Sequence, residues 1–93
     1  MTPDDLNIDF EEGGILTTKT LDKVILSKGA WTTIMFRYAN WDFKTDSYGE
    51  DKFTIRRYQK RNGEYVPRSK FNITNAKQAG QIVDALNGWI KEK

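Results

Sequence analysis

The residues best suited to chemistry lie between Lys52 and Ile73, where basic and aromatic side chains are interleaved. This stretch holds seven bases against one acid, Glu64. The bases are Lys52, Arg56, Arg57, Lys60, Arg61, Arg68 and Lys70. The guanidinium of arginine pairs with phosphate and stacks on bases, and aromatic rings give stacking surfaces worth about 1–3 kcal/mol per base. The pattern therefore favours a nucleic-acid-binding surface.

A second group of candidate residues lies in the polar stretch from 40 to 51. These 12 residues include Trp41, Phe43 and Tyr48, although an exposed connection gains no solubility from aromatic side chains. Loops of this length in compact domains are often functional. We expect Trp41 and Phe43 to offer stacking faces together with Tyr58. Arg37 and Lys44 add positive charge beside them.

Catalytic and metal chemistry is poorly supported by the composition. The chain has no histidine and no cysteine, which removes the commonest general base, the commonest metal ligand and the thiol nucleophile. The acids Asp42, Asp46, Glu50 and Asp51 offer oxygen ligands for a hard cation, but their spacing fits no calcium loop. A solvated loop is the favoured interpretation, and we predict a binding protein rather than an enzyme, without a cofactor or a metal.

Charge divides the chain into two parts. Residues 1–14 carry five acids and no base, whereas residues 15–93 carry 15 bases and 8 acids, a net charge of +7. We expect an acidic, poorly ordered tail over residues 1–14 and a single domain over residues 15–93 that attracts polyanions. No apolar run is long enough for a membrane span, and the acidic start differs from a secretory signal. These features predict a cytoplasmic protein, nucleoid-associated if the source is bacterial.

Periodicity predicts four strands and one helix. Extended segments are expected over residues 15–26, 31–41, 52–59 and 65–73, since β-branched and aromatic residues dominate them. Asn62-Gly63 predicts a tight hairpin turn, and Pro67 places the last strand at an edge or at an irregularity. Thr74-Asn75 then provides a helix cap. The fold class is therefore α+β, a four-stranded antiparallel curved sheet followed by one carboxy-terminal helix.

Alternation along the strands predicts which side chains form the core. In the second strand, Ile34, Phe36 and Tyr38 are the expected core residues. In the third strand, we expect Phe53 and Ile55 to be buried. Thr54, Arg56 and Tyr58 lie on the other face of that strand and are expected to point outward.

The helix carries one apolar stripe at three- and four-residue spacing. A domain of this size without disulfides has limited means of stabilisation, so a homodimer formed through the helix is expected. The predicted interface consists of Ile82, Val83, Leu86, Trp89 and Ile90.

The basic stretch also resembles a known family. The runs I-R-R-Y at 55–58 and N-G-E-Y-V-P-R-S-K at 62–70, followed by Thr74 before the helix, are similar to the carboxy-terminal DNA-binding domain of the transcriptional coactivator positive cofactor four and its bacterial relatives. The resemblance implies a homodimer paired through its helices, with single-stranded DNA held across the sheets. It places the family's strand arginine at Arg56 and its lysine at Lys70. Phe71 departs from the family pattern, which usually has glycine there, and the loop over residues 40–51 is longer than in the eukaryotic members.

These observations predict a homodimeric single-stranded DNA-binding protein of the coactivator type, with little sequence specificity. Two alternatives stay open. One is an RNA-binding protein that uses the same surface, since stacking does not distinguish the two sugars. The other is a protein-interaction module in which the hairpin and Trp31 meet an acidic partner.

Overall fold

A computed structural model describes residues 2–92. Met1 and Lys93, the outer ends of the predicted tail and domain, lie outside the described residues. A short 3-10 helix covers Pro3–Asp5. The strands are β1 (Phe10–Glu12), β2 (Ile15–Ser27), β3 (Trp31–Asp42), β4 (Ser47–Tyr48), β5 (Lys52–Arg61) and β6 (Glu64–Ile73), and the helix α1 is Ala76–Lys91.

The strands form one antiparallel sheet in the order β1-β2-β3-β5-β6, with β4 paired to β3. The α+β class, the antiparallel sheet and the carboxy-terminal helix are confirmed. The predicted count of four strands is wrong, because the described residues form six. The two additional strands, β1 and β4, are only three and two residues long, which is too short for alternation to reveal them.

The β5–β6 hairpin follows the turn chemistry of its sequence. Asn62 and Gly63 have φ values of 51° and 80°, as a tight hairpin turn requires. β6 is an edge strand, and its pairing shifts by one residue next to Pro67, between the pairs Arg57–Ser69 and Tyr58–Pro67. The prediction of an edge or irregular position for Pro67 is confirmed on both counts.

The sheet has two faces with different surroundings. We call the first the tail face, because Leu6 and Ile8 of the amino-terminal segment pack against it. Its buried side chains are Thr32, Ile34, Phe36, Thr54 and Tyr58. We call the second the open face. It carries Val24, Met35, Phe53, Ile55 and Phe71, which are half-buried or exposed, and Ile73, which pairs with Phe53 and is buried.

Register explains why the core prediction for β5 is wrong. Phe36 pairs with Thr54, and Ile34 pairs with Arg56, so Thr54 and Arg56 share the tail face with that core. Thr54 is fully buried and Tyr58 is 5% exposed, although both were expected to face outward. Phe53 and Ile55 lie on the open face. For β3 the prediction is confirmed for Ile34 and Phe36, which are fully buried, whereas Tyr38 is only half-buried.

The acidic amino-terminal segment has a defined place in the fold. Lys23 Nζ donates hydrogen bonds to the carbonyl oxygens of Pro3, Asp4 and Leu6. Ile8 N donates to Thr20 Oγ1 (2.9 Å). Ordered structure was expected to begin at Ile15. It begins earlier, because this segment completes the tail face as a second layer.

The helix extends from the end of β6 with its apolar stripe uncovered. Asn75 Oδ1 accepts a hydrogen bond from Gln78 N (2.8 Å), and Gln78 Oε1 accepts one from Thr74 N (2.7 Å), which confirms the predicted cap. No residue of α1 is buried. Four of the five residues predicted for a dimer interface are large exposed hydrophobics, and the fifth, Ile82, is half-buried.

Candidate nucleic-acid interface

The irregularity in β6 places two positive charges side by side. Arg61 pairs with Glu64 next to the turn, and counting outward from this pair would bring Ser69 opposite Arg56. The one-residue shift brings Lys70 opposite Arg56 instead. Directly paired residues have Cβ atoms about 4.5–5.5 Å apart, and like charges at such positions are destabilising. The two residues identified through the family resemblance are therefore cross-strand neighbours on the tail face.

Neutral side chains orient two of the cations in this region, Arg56 and its neighbour Arg68. Arg56 Nε donates to Thr54 Oγ1 (3.3 Å), and Thr54 Oγ1 donates to Asn72 Oδ1 (2.8 Å). At the bulge, Arg68 Nε donates to Gln59 Oε1 (3.0 Å). Each guanidinium is thus oriented by an oxygen that carries no full negative charge, and its remaining N–H groups stay free for a ligand.

Arg56, Arg68 and Lys70 are among the residues that line one shallow cavity at this edge strand, although the Arg68 guanidinium bonds to Gln59, which alternation places on the open face with Arg57. The cavity has a volume of about 200 Å³ and is formed by Arg56, Pro67, Arg68, Ser69 and Lys70. No acid lines it. Across residues 2–92 the only ion pair joins Arg37 to Asp51, at 3.3 Å, so these three cations have no carboxylate partner. We call this group of residues the cationic cavity; it can accept an anion such as a phosphate.

The other predicted contact residues do not form one continuous surface. Alternation and register put some of them on the tail face with Arg56 and Lys70; these are Lys52, Tyr58 and Lys60. Others project from the open face, namely Arg37, Arg57 and Arg61. Arg37 is occupied by its ion pair with Asp51. The ring of Tyr58 is buried, so the expectation that it offers an outward stacking face is wrong for the single chain.

Two cation–π contacts combine charge with an aromatic ring on opposite sides of the sheet. On the open face, the guanidinium of Arg57 lies 4.2 Å from the ring centre of Trp31, which is partly exposed. On the tail face, Lys60 Nζ lies 5.8 Å from the ring centre of Tyr65. Tyr65 also packs against the tail-face core. Tyr65 is therefore a half-buried aromatic residue that shares a face with Arg56 and Lys70.

The remaining predicted residues meet at the β3–β4 hairpin. Trp41 pairs with Tyr48 across the hairpin, and their rings meet edge to face with centres 5.0 Å apart. Phe43 and Lys44 lie in the turn, and the ring of Phe43 is 61% exposed. Trp41, Phe43, Lys44 and Lys52 line one cavity. The stretch over residues 40–51 was expected to be a loop; it contains the short strand β4.

Sequence reasoning missed the residues that position the cations. Thr54, Asn72 and Gln59 are uncharged and resemble ordinary strand residues. The available signal was the hairpin register, because the Asn62-Gly63 turn places Gln59 and Thr54 near β6. An irregularity at Pro67 was one of two expected outcomes. The size of the shift determines which residue lies opposite Arg56, and no local pattern encodes that size.

Within residues 2–92 there is no cluster of three or more acidic side chains suited to a metal ion, and no helix is long and apolar enough to cross a membrane. Comparison of the chain with protein-family models, curated proteins and solved structures finds no match.

Proposed function

We propose that the protein binds single-stranded DNA through the phosphate backbone, as a homodimer of the positive cofactor four type. The observation that carries this proposal is the unpaired cationic pair Arg56–Lys70 beside Arg68. Such an arrangement costs stability in the free protein, and a bound phosphate would convert the repulsion into charge-assisted hydrogen bonds. The coactivator role rests on the family resemblance of residues 55–74.

The form of the surface favours single strands over duplex. A helix usually enters the major groove of duplex DNA, but α1 presents an apolar stripe and has few bases. The cations instead belong to adjacent strands of a sheet, with Tyr65 on the same face and Phe43 exposed at the β3–β4 hairpin. Sheets with this combination suit unstacked strands, whose phosphates follow positive charge while their bases stack on side chains.

The experiment is a titration of fluorescently labelled oligonucleotides at about 50 mM and about 200 mM salt. Single-stranded DNA should bind more tightly than duplex, and its affinity should fall as salt rises, because binding releases counterions. The double variant Arg56→Ala with Lys70→Ala should bind at least about tenfold more weakly at low salt. The slope of log affinity against log salt should shrink by roughly 0.7 for each phosphate that the variant no longer neutralises.

The matched control is Lys28→Ala with Lys77→Ala, which removes the same charge from exposed positions away from the cavity. It should retain most of the affinity. Equal losses in the two double variants would show that net charge alone attracts the ligand and would overturn the proposed site. Tighter binding to duplex would contradict the single-strand proposal, and equal or tighter binding to RNA would favour the RNA-binding alternative.

The homodimer is supported by apolar surface on the open face and along α1. Val83, Leu86, Trp89 and Ile90 are each about half exposed or more, and exposed apolar surface of this extent commonly marks an interaction site. A second copy of the chain offers the same stripe, so a two-fold axis would bury both stripes together. The solution mass should therefore correspond to two chains.

A further inference from the structure

The open face carries a basic and aromatic cluster at the hairpin end of β5 and β6, whereas α1 begins at the opposite end of β6. The guanidinium carbon of Arg57 lies 4.2 Å from the ring centre of Trp31, and Trp31 pairs directly with Gln59 across β3 and β5. Gln59 Oε1 accepts the hydrogen bond from Arg68 Nε (3.0 Å). We call Trp31, Arg57, Gln59 and Arg68 the open-face platform.

The platform is accessible and has no partner of opposite charge. Arg57 and Arg68 are exposed, and Trp31 is 39% exposed. Within residues 2–92 neither of these arginines forms an ion pair, and the Arg57 side chain makes no hydrogen bond. Glu64, the acid at the hairpin turn on this face, forms no ion pair either. Two guanidinium groups are therefore available to an anionic ligand.

The contact with Trp31 prepares Arg57 for a flat ligand. The distance between them is that of a cation–π contact, in which the cation lies over the face of the ring. The guanidinium is planar, and it can pair with phosphate or stack on an aromatic surface. The indole occupies one side of it and leaves the other side exposed. A nucleobase can therefore lie on the free side, with Trp31 holding the guanidinium beneath it.

The platform is continuous with the cationic cavity. Ser69, which lines that cavity, pairs with Arg57 across β5 and β6, and Arg68 belongs to both groups of residues. Because β6 is an edge strand, no further strand separates its two faces at this point. One chain of nucleotides can therefore pass from the Arg56–Lys70 pair over the edge of the sheet to the platform.

We propose, on the basis of the proposed function, that the bound single strand crosses the edge at β6 and stacks one base on Arg57. Arg68 contacts a phosphate at the crossing, Gln59 positions Arg68, and Trp31 positions Arg57. Every base has a flat face, so stacking of this kind adds affinity with little sequence preference. The platform thus supplies a stacking surface, which the buried ring of Tyr58 does not.

The test compares oligo(dT) of about 15 nucleotides with an oligonucleotide of equal length that carries abasic sugars in place of thymidine. Arg57→Lys keeps the charge and removes the planar group. It should weaken oligo(dT) binding about tenfold, within the range for the loss of one stacked base, and leave the affinity for the abasic strand unchanged. Trp31→Leu should give the same pattern, and the double variant should lose no more than either single variant.

Arg61→Lys is the matched control, because Arg61 is an exposed arginine of the same face that makes no cation–π contact within residues 2–92. It should leave both affinities unchanged. Thermal unfolding checks the fold of Trp31→Leu, and Arg57→Lys tests the proposal alone if that variant unfolds.

Equal losses for the two oligonucleotides in Arg57→Lys, or no loss with oligo(dT), would overturn the platform and leave phosphate binding in place. A weaker dimer without a base-dependent loss would show that a second copy covers this end of the open face, which would also overturn it. Absence of binding of either oligonucleotide to the unmodified protein would overturn the proposed function as well.

Discussion

The two faces of the sheet differ in what covers them. On the tail face, Phe36 is fully buried because residues 3–8 of the same chain lie over it. On the open face, Ile73 is buried beside the start of α1, but Phe71 is 55% exposed and no residue of α1 is itself buried. One chain therefore completes one core and leaves much of a second apolar layer exposed. The difference identifies the tail as part of the monomer's own stability and the helix as the element available to a partner.

The positively charged residues are also divided between the two faces of the sheet. Arg56 and Lys70 share their face with the tail, whose acids form no ion pair with them in the described residues. Arg57 lies on the open face and stacks on Trp31. If a second copy covers the open face as far as Arg57, Arg57 becomes an interface residue, and the proposed phosphate binding would depend on the tail face alone.

The largest expected effect is on the free energy of unfolding, when a phenylalanine on each face of the sheet is replaced by alanine. Phe36→Ala should lower the free energy of unfolding by about 3–5 kcal/mol, because it leaves a cavity in the core. Phe71→Ala should cost less than about 1 kcal/mol in dilute protein, as for most exposed positions. Urea unfolding followed by tryptophan fluorescence measures both.

Repeating these unfolding measurements at several protein concentrations shows whether a second copy covers Phe71. If a second copy covers Phe71, the cost of Phe71→Ala should grow as concentration rises, since association stabilises the folded chain. The cost of Phe36→Ala should stay constant. Equal costs at the two positions at every concentration would contradict the distinction between the faces. Phe36→Leu, with a smaller expected loss, serves if Phe36→Ala does not fold.

A smaller effect is expected when the helix stripe is changed. Trp89→Ser should raise the dissociation constant of the proposed dimer by roughly 30-fold, because truncating a buried interface tryptophan costs about 2 kcal/mol or more. Sedimentation over a range of concentrations measures the constant. Gln81→Ser, an exposed polar position on the same helix, should leave it unchanged. A single-chain mass at all concentrations in the unmodified protein would contradict the dimer.

Strand β5 shows why strands, turns and the helix cap could be predicted from the sequence, whereas the side of the sheet on which each side chain lies could not. The Asn62-Gly63 turn and the Asn75 cap depend on local chemistry, and both were predicted. The orientation of β5 depends on whether Phe53 and Ile55 or Thr54 and Tyr58 face the tail. Both sets are compatible with burial, because the open face is also apolar, so alternation alone could not choose between them.

For the candidate site too, the residues could be predicted from the sequence, but their arrangement could not. Arg56 and Lys70 were identified from their motif, but their direct opposition follows from the bulge at Pro67. The tail was missed because its packing on Phe36 depends on contacts distant in sequence, and its acidic composition favoured disorder. Trp41 was identified as an aromatic residue, whereas its edge-to-face contact with Tyr48 arises from the geometry of the β3–β4 hairpin.

The smallest expected effect tests the burial of Tyr58 on the tail face. Burial raises the pKa of the Tyr58 hydroxyl above its ordinary value, and the nearby Arg56 opposes this only in part. The folded state therefore retains this proton at a pH where the unfolded state has released it. The resulting stabilisation is complete below about pH 10, the ordinary pKa of tyrosine, and is lost as the pH rises through the higher folded value.

Tyr58→Phe removes this titration and keeps the ring in the core. Urea midpoints measured at increasing pH above neutrality should fall less steeply in the variant than in the unmodified protein. The difference between the two curves is the relevant quantity, because lysines and other tyrosines titrate in the same range in both proteins. Parallel curves would mean that the hydroxyl of Tyr58 is equally solvated in the folded and unfolded chains. That result would contradict closure of the tail face by residues 3–8, and with it the contrast between the two faces.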